Sequence, residues 1–189
     1  MFNPDDSIII MINYDERFFK NIFSKMEFIM GIDYLNHYSE KFHVPFLFTQ
    51  RDLNYKTGNE ELNNFRNSMS KRRLDGRAPE SHMDSKFINE FNKKIIPENV
   101  IKTYKEDIFY HTHIEDKIKK YKRNTLLICG FFTDTDIVVS SFESYVREFN
   151  TYVVSDASST YSERLYFQSL EMIGQILPVI DTRDMEKYF

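Results

Sequence analysis

The chain has 189 residues, a formal net charge of −4 and 41% hydrophobic residues. That suits one domain with a full core, and its interspersed charges leave no basic footprint for nucleic acid. The single cysteine, Cys129, excludes an intramolecular disulfide and fits a reducing compartment.

The first residues, MFNPDDS, lack the basic region of a secretory signal, and no apolar run approaches the ~18 residues of a membrane span. A cytoplasmic protein with no membrane partner and no nucleic-acid partner is expected. Ser7 to Ile12 (SIIIMI) reads as a strand buried on both faces. Phe18, Phe19, Ile22, Phe23, Met26, Ile29, Met30 and Ile32 then recur at helical spacing. Pro45 to Phe48 predicts a second strand, entered through its proline.

Gln50 to Lys86 is long, polar and poor in periodicity. It predicts a lid or insertion loop, interrupted by a short helix around Glu60 to Arg66. Its basic cluster, Lys71, Arg72, Arg73 and Arg77, is either a solvated loop or an anion clamp over a site. Ser85 to Lys94 predicts a helix stopped by Pro97. Asn99 to Lys102 predicts a weak strand, and Thr112 to Lys122 an amphipathic helix.

Asn124 to Ser141 (NTLLICGFFTDTDIVVSS) is the stretch on which the chain turns. An apolar strand, Thr125 to Cys129, breaks at Gly130, and a tight link opens into a helix from Asp136. That junction is where open α/β sheets place their chemistry. Thr151 to Val154 predicts a fifth strand, Tyr161 to Ile173 a helix, Ile176 to Ile180 a last strand and Thr182 to Phe189 a short terminal helix. The alternation predicts one α/β domain over residues 1–189. It is a three-layer α/β/α fold with a parallel sheet of about six strands.

The stretch LLICGFFTDTDIVVSSFESYVREFNTYVVSDASSTYSERLYFQSLEMIG resembles the isochorismatase-like (cysteine hydrolase) superfamily. In that family a strand ends in Gly, and a hydrophobic residue, a Thr and the nucleophile position follow before a helix. A later strand ends in Asp-Ala. IIIMINYDERFF resembles the family's first strand, and DIFYHTHIEDKI its segment after the catalytic lysine, where a Phe (here Phe109) and a Thr recur. The spacing is closest to the isochorismatase branch.

The resemblance implies a triad of Asp, Lys and, in the amidase branch, Cys. Isochorismatases lack the Cys and use the Asp to protonate a vinyl ether. Carried over by position, the Asp falls on Asn13, the Cys on Asp136 and the Lys on Thr103 in an ungapped reading. Lys102 and Lys105 stand near enough to serve if the register shifts. An amide such as Asn13 cannot exchange protons near neutral pH. Asp136 would be a weak nucleophile towards amides, although carboxylates serve in other covalent mechanisms. It would also repel a dianion such as isochorismate unless Lys102, Lys105 or the basic loop offsets it. Asn13 and Asp136 could equally be a swapped pair, with the acid moved to the facing strand end.

The resemblance further implies a cis peptide between Phe131 and Phe132. It would aim the N–H groups of Phe132 and Asp136 into an oxyanion hole, with Thr133 at the pocket and the two rings narrowing or walling it. Asp156 is a helix-capping or turn carboxylate, or a polar group on the site rim. Cys129 reads as a buried core thiol. His111 and His113 diverge if their segment is helical, so no metal is expected, and no cofactor. Two functions stay open: a hydrolase acting on a small metabolite with an altered triad, or an inactive relative that binds a small molecule or serves as a scaffold. The resemblance also implies a homodimer or larger assembly. A lysine ammonium within ~4 Å of the Asp136 carboxylate would preserve the family's charge logic.

Overall fold

Six consecutive buried residues make β1 (Ser7–Ile12). There follow α1 (Glu16–Phe19), α2 (Lys25–Phe42), β2 (Phe46–Arg51), α3 (Glu60–Leu74), α4 (His82–Asn92), β3 (Val100–Thr103) and α5 (Ile114–Tyr121). The chain continues with β4 (Thr125–Phe131), α6 (Val138–Val146), β5 (Asn150–Ser159), α7 (Glu163–Gly174) and β6 (Val179–Ile180). This is a computed structural model, and it describes residues 3–74 and 82–188. Among the described residues, no helix is long and apolar enough to cross a membrane.

The strands form one parallel sheet in the order β3-β2-β1-β4-β5-β6. The two-residue period of a strand sorts its side chains onto two faces. Ile9 and Met11 of β1, with Leu127, Cys129 and Phe131 of β4, pack with α1, α2 and α4. Ile8, Ile10 and Ile12, with Leu126 and Ile128, pack with α5, α6 and α7. The expected three-layer α/β/α fold with six parallel strands is what forms. From β1 the chain builds outward through β2 and β3, then returns to add β4 on the other side of β1. The crevice between the C-terminal ends of β1 and β4 is therefore the topological switch point.

Two glycines make close approaches possible. Gly130 has φ +107°, and a Cβ on it would stand 2.3 Å from the Ile12 carbonyl oxygen of the neighbouring strand. Gly31 lets α2 lie against β5, since a Cβ there would stand 2.6 Å from the Asp156 carbonyl oxygen.

Several boundaries differ from the sequence expectations. The first helical pattern is split between α1 and α2. The link between them turns towards β5, with Phe23 N–H donating to the Thr160 carbonyl at 3.3 Å. Instead of a structureless lid, residues 50–86 carry the end of β2, the whole of α3 and the start of α4; residues 75–81 lie outside the described residues. The short helix expected around Glu60 to Arg66 is the first part of α3, which runs on to Leu74; its polar composition hid the rest. β5 runs on to Ser159 because its pairing with β4 resumes after a register shift between Ile128 and Gly130. Asp156 therefore lies within that strand rather than just past its end. Before α6 comes a π-helical turn, Thr133–Ile137, so Asp136 precedes the first α-helical residue.

Candidate functional site

Four strand ends meet at the switch point. Asn13 follows β1 with φ 54°, a left-handed conformation that asparagine tolerates better than most residues. Thr49 of β2 fixes that turn: its Oγ1 accepts from Asn13 N–H at 2.9 Å, and its carbonyl accepts from Tyr14 N–H at 2.7 Å. The π-helical turn after β4 brings Asp136 to the same place, and such turns recur at functional sites. Asn13 Nδ2 donates to Asp136 Oδ1 at 2.6 Å across 123 residues of sequence.

Asp136 is 1% exposed and accepts from three side chains. Asn13 and the Arg51 guanidinium meet Oδ1, and Thr135 Oγ1 donates to Oδ2 at 2.8 Å. Arg51, the last residue of β2, is the cation that offsets this buried carboxylate. Its Nη1 also lies 2.9 Å from Glu106 Oε1. Arg66 of α3 completes the row, with Nη2 at 3.7 Å from Glu106 Oε1 and donating to the Tyr104 carbonyl at 3.1 Å. Burial works to raise the Glu106 pKa, but the guanidiniums of Arg51 and Arg66 outweigh it. Its carboxyl ends below the ordinary glutamate value.

The lysine positions resolve differently from the family pattern. Lys102 is exposed and turned away, its Nζ 2.8 Å from Asp52 Oδ2. Lys105 lies at the rim with its Nζ over the Tyr110 ring, 3.9 Å from the centroid. No lysine–Asp136 ion pair forms among the described residues, so the charge partner of position 136 comes from β2 instead. Thr103 is paired in register with Arg51. Its Oγ1 is buried without a hydrogen-bond partner among the described residues, as is Thr133 Oγ1.

The sequence reading missed Arg51. The available signal was strand alternation: Thr49 faces in, Gln50 out, and Arg51 in again at the strand's C-terminal end.

The other residues singled out in the sequence lie away from this row. The Phe131–Phe132 peptide is cis. Both rings are buried in the core and neither lines the cleft at Arg51 and Glu106: Phe131 stacks on Phe28 at 4.7 Å and Phe132 meets Phe18 edge-on at 4.9 Å. Phe109 belongs to the opposite face of the sheet, stacked on Phe149 and covered by Arg147. Asp156 accepts from Thr182 N–H at 3.0 Å and from Thr182 Oγ1, so it caps the turn after β6. Burial raises its pKa against those two bonds. Cys129 is fully buried, and burial pushes its thiol pKa far up, which makes it inert. Among the described residues, no three His, Cys, Asp or Glu side chains are grouped to hold a metal.

A cleft of about 420 Å³ opens onto this row. Leu62, Phe65 and Met69 of α3 form its apolar wall, and Arg51, Glu106 and Thr135 line its polar side. Of the basic cluster, Lys71 and Arg72 are exposed on α3; the Arg73 side chain and Arg77 lie outside the described residues.

A parallel α/β/α domain with polar side chains gathered at its switch point places the chain among three-layer α/β/α proteins. The isochorismatase domain matches residues 7–184, and the chain belongs to that family. Over 76 residues it is 22% identical to the phenazine biosynthesis protein PhzD1 of Pseudomonas aeruginosa, 40% of this chain against 37% of that one. The matched stretch thus spans little more than a third of that relative. A cysteine hydrolase from Pseudomonas syringae pv. phaseolicola superposes with a TM-score of 0.70 at 13% identity, covering 100% of this chain and 96% of that one. The YcaC gene product of Escherichia coli, an octameric hydrolase of unknown specificity, gives 0.67 at 12% identity, covering 95% and 77%. At such identities the likeness shows the fold alone.

Proposed function

We propose that this chain is a small-molecule-binding member of the isochorismatase family in which the family's triad chemistry has lapsed. One observation carries the reading: the nucleophile position holds a buried carboxylate whose two oxygens are taken up by Asn13, Arg51 and Thr135. To attack a carbonyl it would first have to leave a guanidinium in a buried site, which is costly. The Asn13 amide cannot act as a general acid near neutral pH, and the Thr103 hydroxyl cannot carry the charge of a lysine. An oxyanion hole built from the N–H groups of Phe132 and Asp136 would then have no attacking group to serve. What the site keeps is a cleft with one apolar wall and one polar side, the form of a small-molecule pocket.

A second reading, a hydrolase with a rebuilt triad, is favoured by the direct Asn13–Asp136 contact that a swapped pair requires. Proton NMR separates the two. Purified protein incubated with isochorismate and a panel of small amides should show no turnover, while ligand binding shifts the methyl signal of Met69. Turnover that disappears in Asp136→Asn would establish the enzyme.

We place the protein in the cytoplasm, where a lone buried thiol is stable. Neither a nucleic-acid nor a membrane partner is part of the proposal. It includes a homo-oligomer, supported by exposed apolar side chains on α6 and α7 (Val139, Tyr145, Val146, Phe167 and Met172). Light scattering in solution tests that, and a monomer at micromolar concentration would refute it.

A further inference from the structure

The polar side of the cleft contains more positive charge than a neutral ligand needs. Arg51, Arg66 and Lys105 all line it, the first two as guanidiniums. Against them stand Asp136, buried behind Arg51, and Glu106 at the surface of the cleft. With Glu106 present, three cations face two carboxylates, and both guanidiniums are already engaged by Glu106. Without it, the same three cations would face one carboxylate, and the pull on anions would rise.

Glu106 is also fixed in place. Ser140 Oγ on α6 donates to its carbonyl at 2.9 Å and accepts from Ile108 N–H at 3.2 Å, so the backbone on both sides is tied to the fold. Its carboxylate lies between Arg51 and Arg66, at 2.9 and 3.7 Å. A side chain held by its own backbone and by two cations is a resident counter-ion. An incoming carboxylate would have to compete with it for both guanidiniums while standing beside a like charge. Specificity of this kind is achieved by repulsion.

We propose that Glu106 sets the charge specificity of the cleft, so that it accepts uncharged small molecules with an apolar body and turns anions away. The apolar wall of Leu62, Phe65 and Met69 receives the body of the ligand, and Glu106 decides which heads are tolerated. This inference rests on the binding reading proposed above.

Two near-isosteric probes, benzyl alcohol and benzoate, differ in the charge of the head. Both are titrated into wild type, Glu106→Gln, Glu106→Ala and the double variant Glu106→Gln/Arg66→Gln, with the Met69 methyl signal as readout and thermal melting as the check on folding. Wild type is expected to bind benzyl alcohol more tightly than benzoate. Glu106→Gln should tighten benzoate by about tenfold or more, leave benzyl alcohol within about twofold, and make benzoate binding salt-dependent. Adding Arg66→Gln should remove most of that gain. Benzoate bound more tightly by wild type, or unchanged in folded Glu106→Gln and Glu106→Ala, would overturn the inference. So would equal tightening of both probes, which would indicate added room rather than removed charge. If neither probe moves the Met69 signal in any folded variant, the cleft is not a small-molecule pocket and the binding reading fails first.

Discussion

One row of charges runs from the interior to the surface of this protein, and its two ends behave differently. At the inner end Asp136 is 1% exposed and depends on Arg51. At the outer end the Glu106 side chain is 35% exposed, between Arg51 and Arg66. The Coulomb attraction is of the same kind at both ends, but the alternative to it is not. A group at the surface that loses its partner falls back on water. A buried carboxylate that loses its partner has nothing to fall back on. The inner pair is therefore a structural commitment, while the outer carboxylate can change and alter binding without undoing the fold.

The widest gap between the two ends should appear when Arg51 is removed. Arg51→Ala strands the Asp136 carboxylate with only Asn13 and Thr135 as donors, and a cost of about 3–5 kcal/mol is expected. Urea denaturation measures it. A loss below about 1 kcal/mol would mean that water reaches Asp136 and that the two ends are alike.

A double-mutant cycle sharpens the same point. If Arg51→Met strands a charge, removing that charge as well should repair much of the damage. The pair Arg51→Met with Asp136→Asn should be less destabilised than the sum of the single variants by about 0.5–3 kcal/mol. Simple additivity would show that the guanidinium acts by packing its stem rather than by pairing.

At the outer end, Glu106→Gln should lower stability at pH 7 by less than about 1 kcal/mol, since the pair is partly solvated. Its pH dependence carries a definite sign. The folded-state pKa of Glu106 lies below the ordinary value of 4.5, so near that pH the unfolded chain binds more protons. The stabilisation is present above 4.5 and is lost as pH falls through the folded value. The difference between wild type and Glu106→Gln should therefore shrink on acidification, and a widening difference would contradict the pairing.

The inner end was more legible in the sequence than the outer one, for a physical reason. β1 and β4 are runs of buried apolar residues, and Gly130 marks where one strand must approach the other. Strand periodicity and a forced glycine are local signals that placed the two strand ends, and the family resemblance then put Asn13 and Asp136 at them. Arg51 was legible only in its alternation with Thr49, since nothing local says that a strand-end arginine turns towards a residue 85 positions away. Only the first half of α3 was read as a helix, around Glu60 to Arg66, because a largely polar helix has no periodic apolar signature to carry it further. Phe109 was carried over by resemblance, and Asp156 was read as either a turn carboxylate or a group on the site rim. In this chain packing takes both: Phe109 fills the opposite face, and Asp156 caps a turn.

The smallest expected effect concerns the residue that resemblance would have made essential. If the family's charge logic still ran through β3, Lys102 would be the group to remove. Its ammonium instead meets Asp52 at the surface, with 62% of its side chain exposed. Surface pairs of this kind contribute little because water competes for both partners. Lys102→Ala should change stability by no more than about 0.5 kcal/mol and leave binding in the cleft unaltered. Arg51→Lys offers the matching control: it keeps the charge on β2 but loses the planar fork that reaches Asp136 and Glu106 together. A substantial loss in Lys102→Ala alongside a mild one in Arg51→Lys would return the charge to β3. The reverse order would show that the cation has moved one strand over, with Thr103 left in its former place.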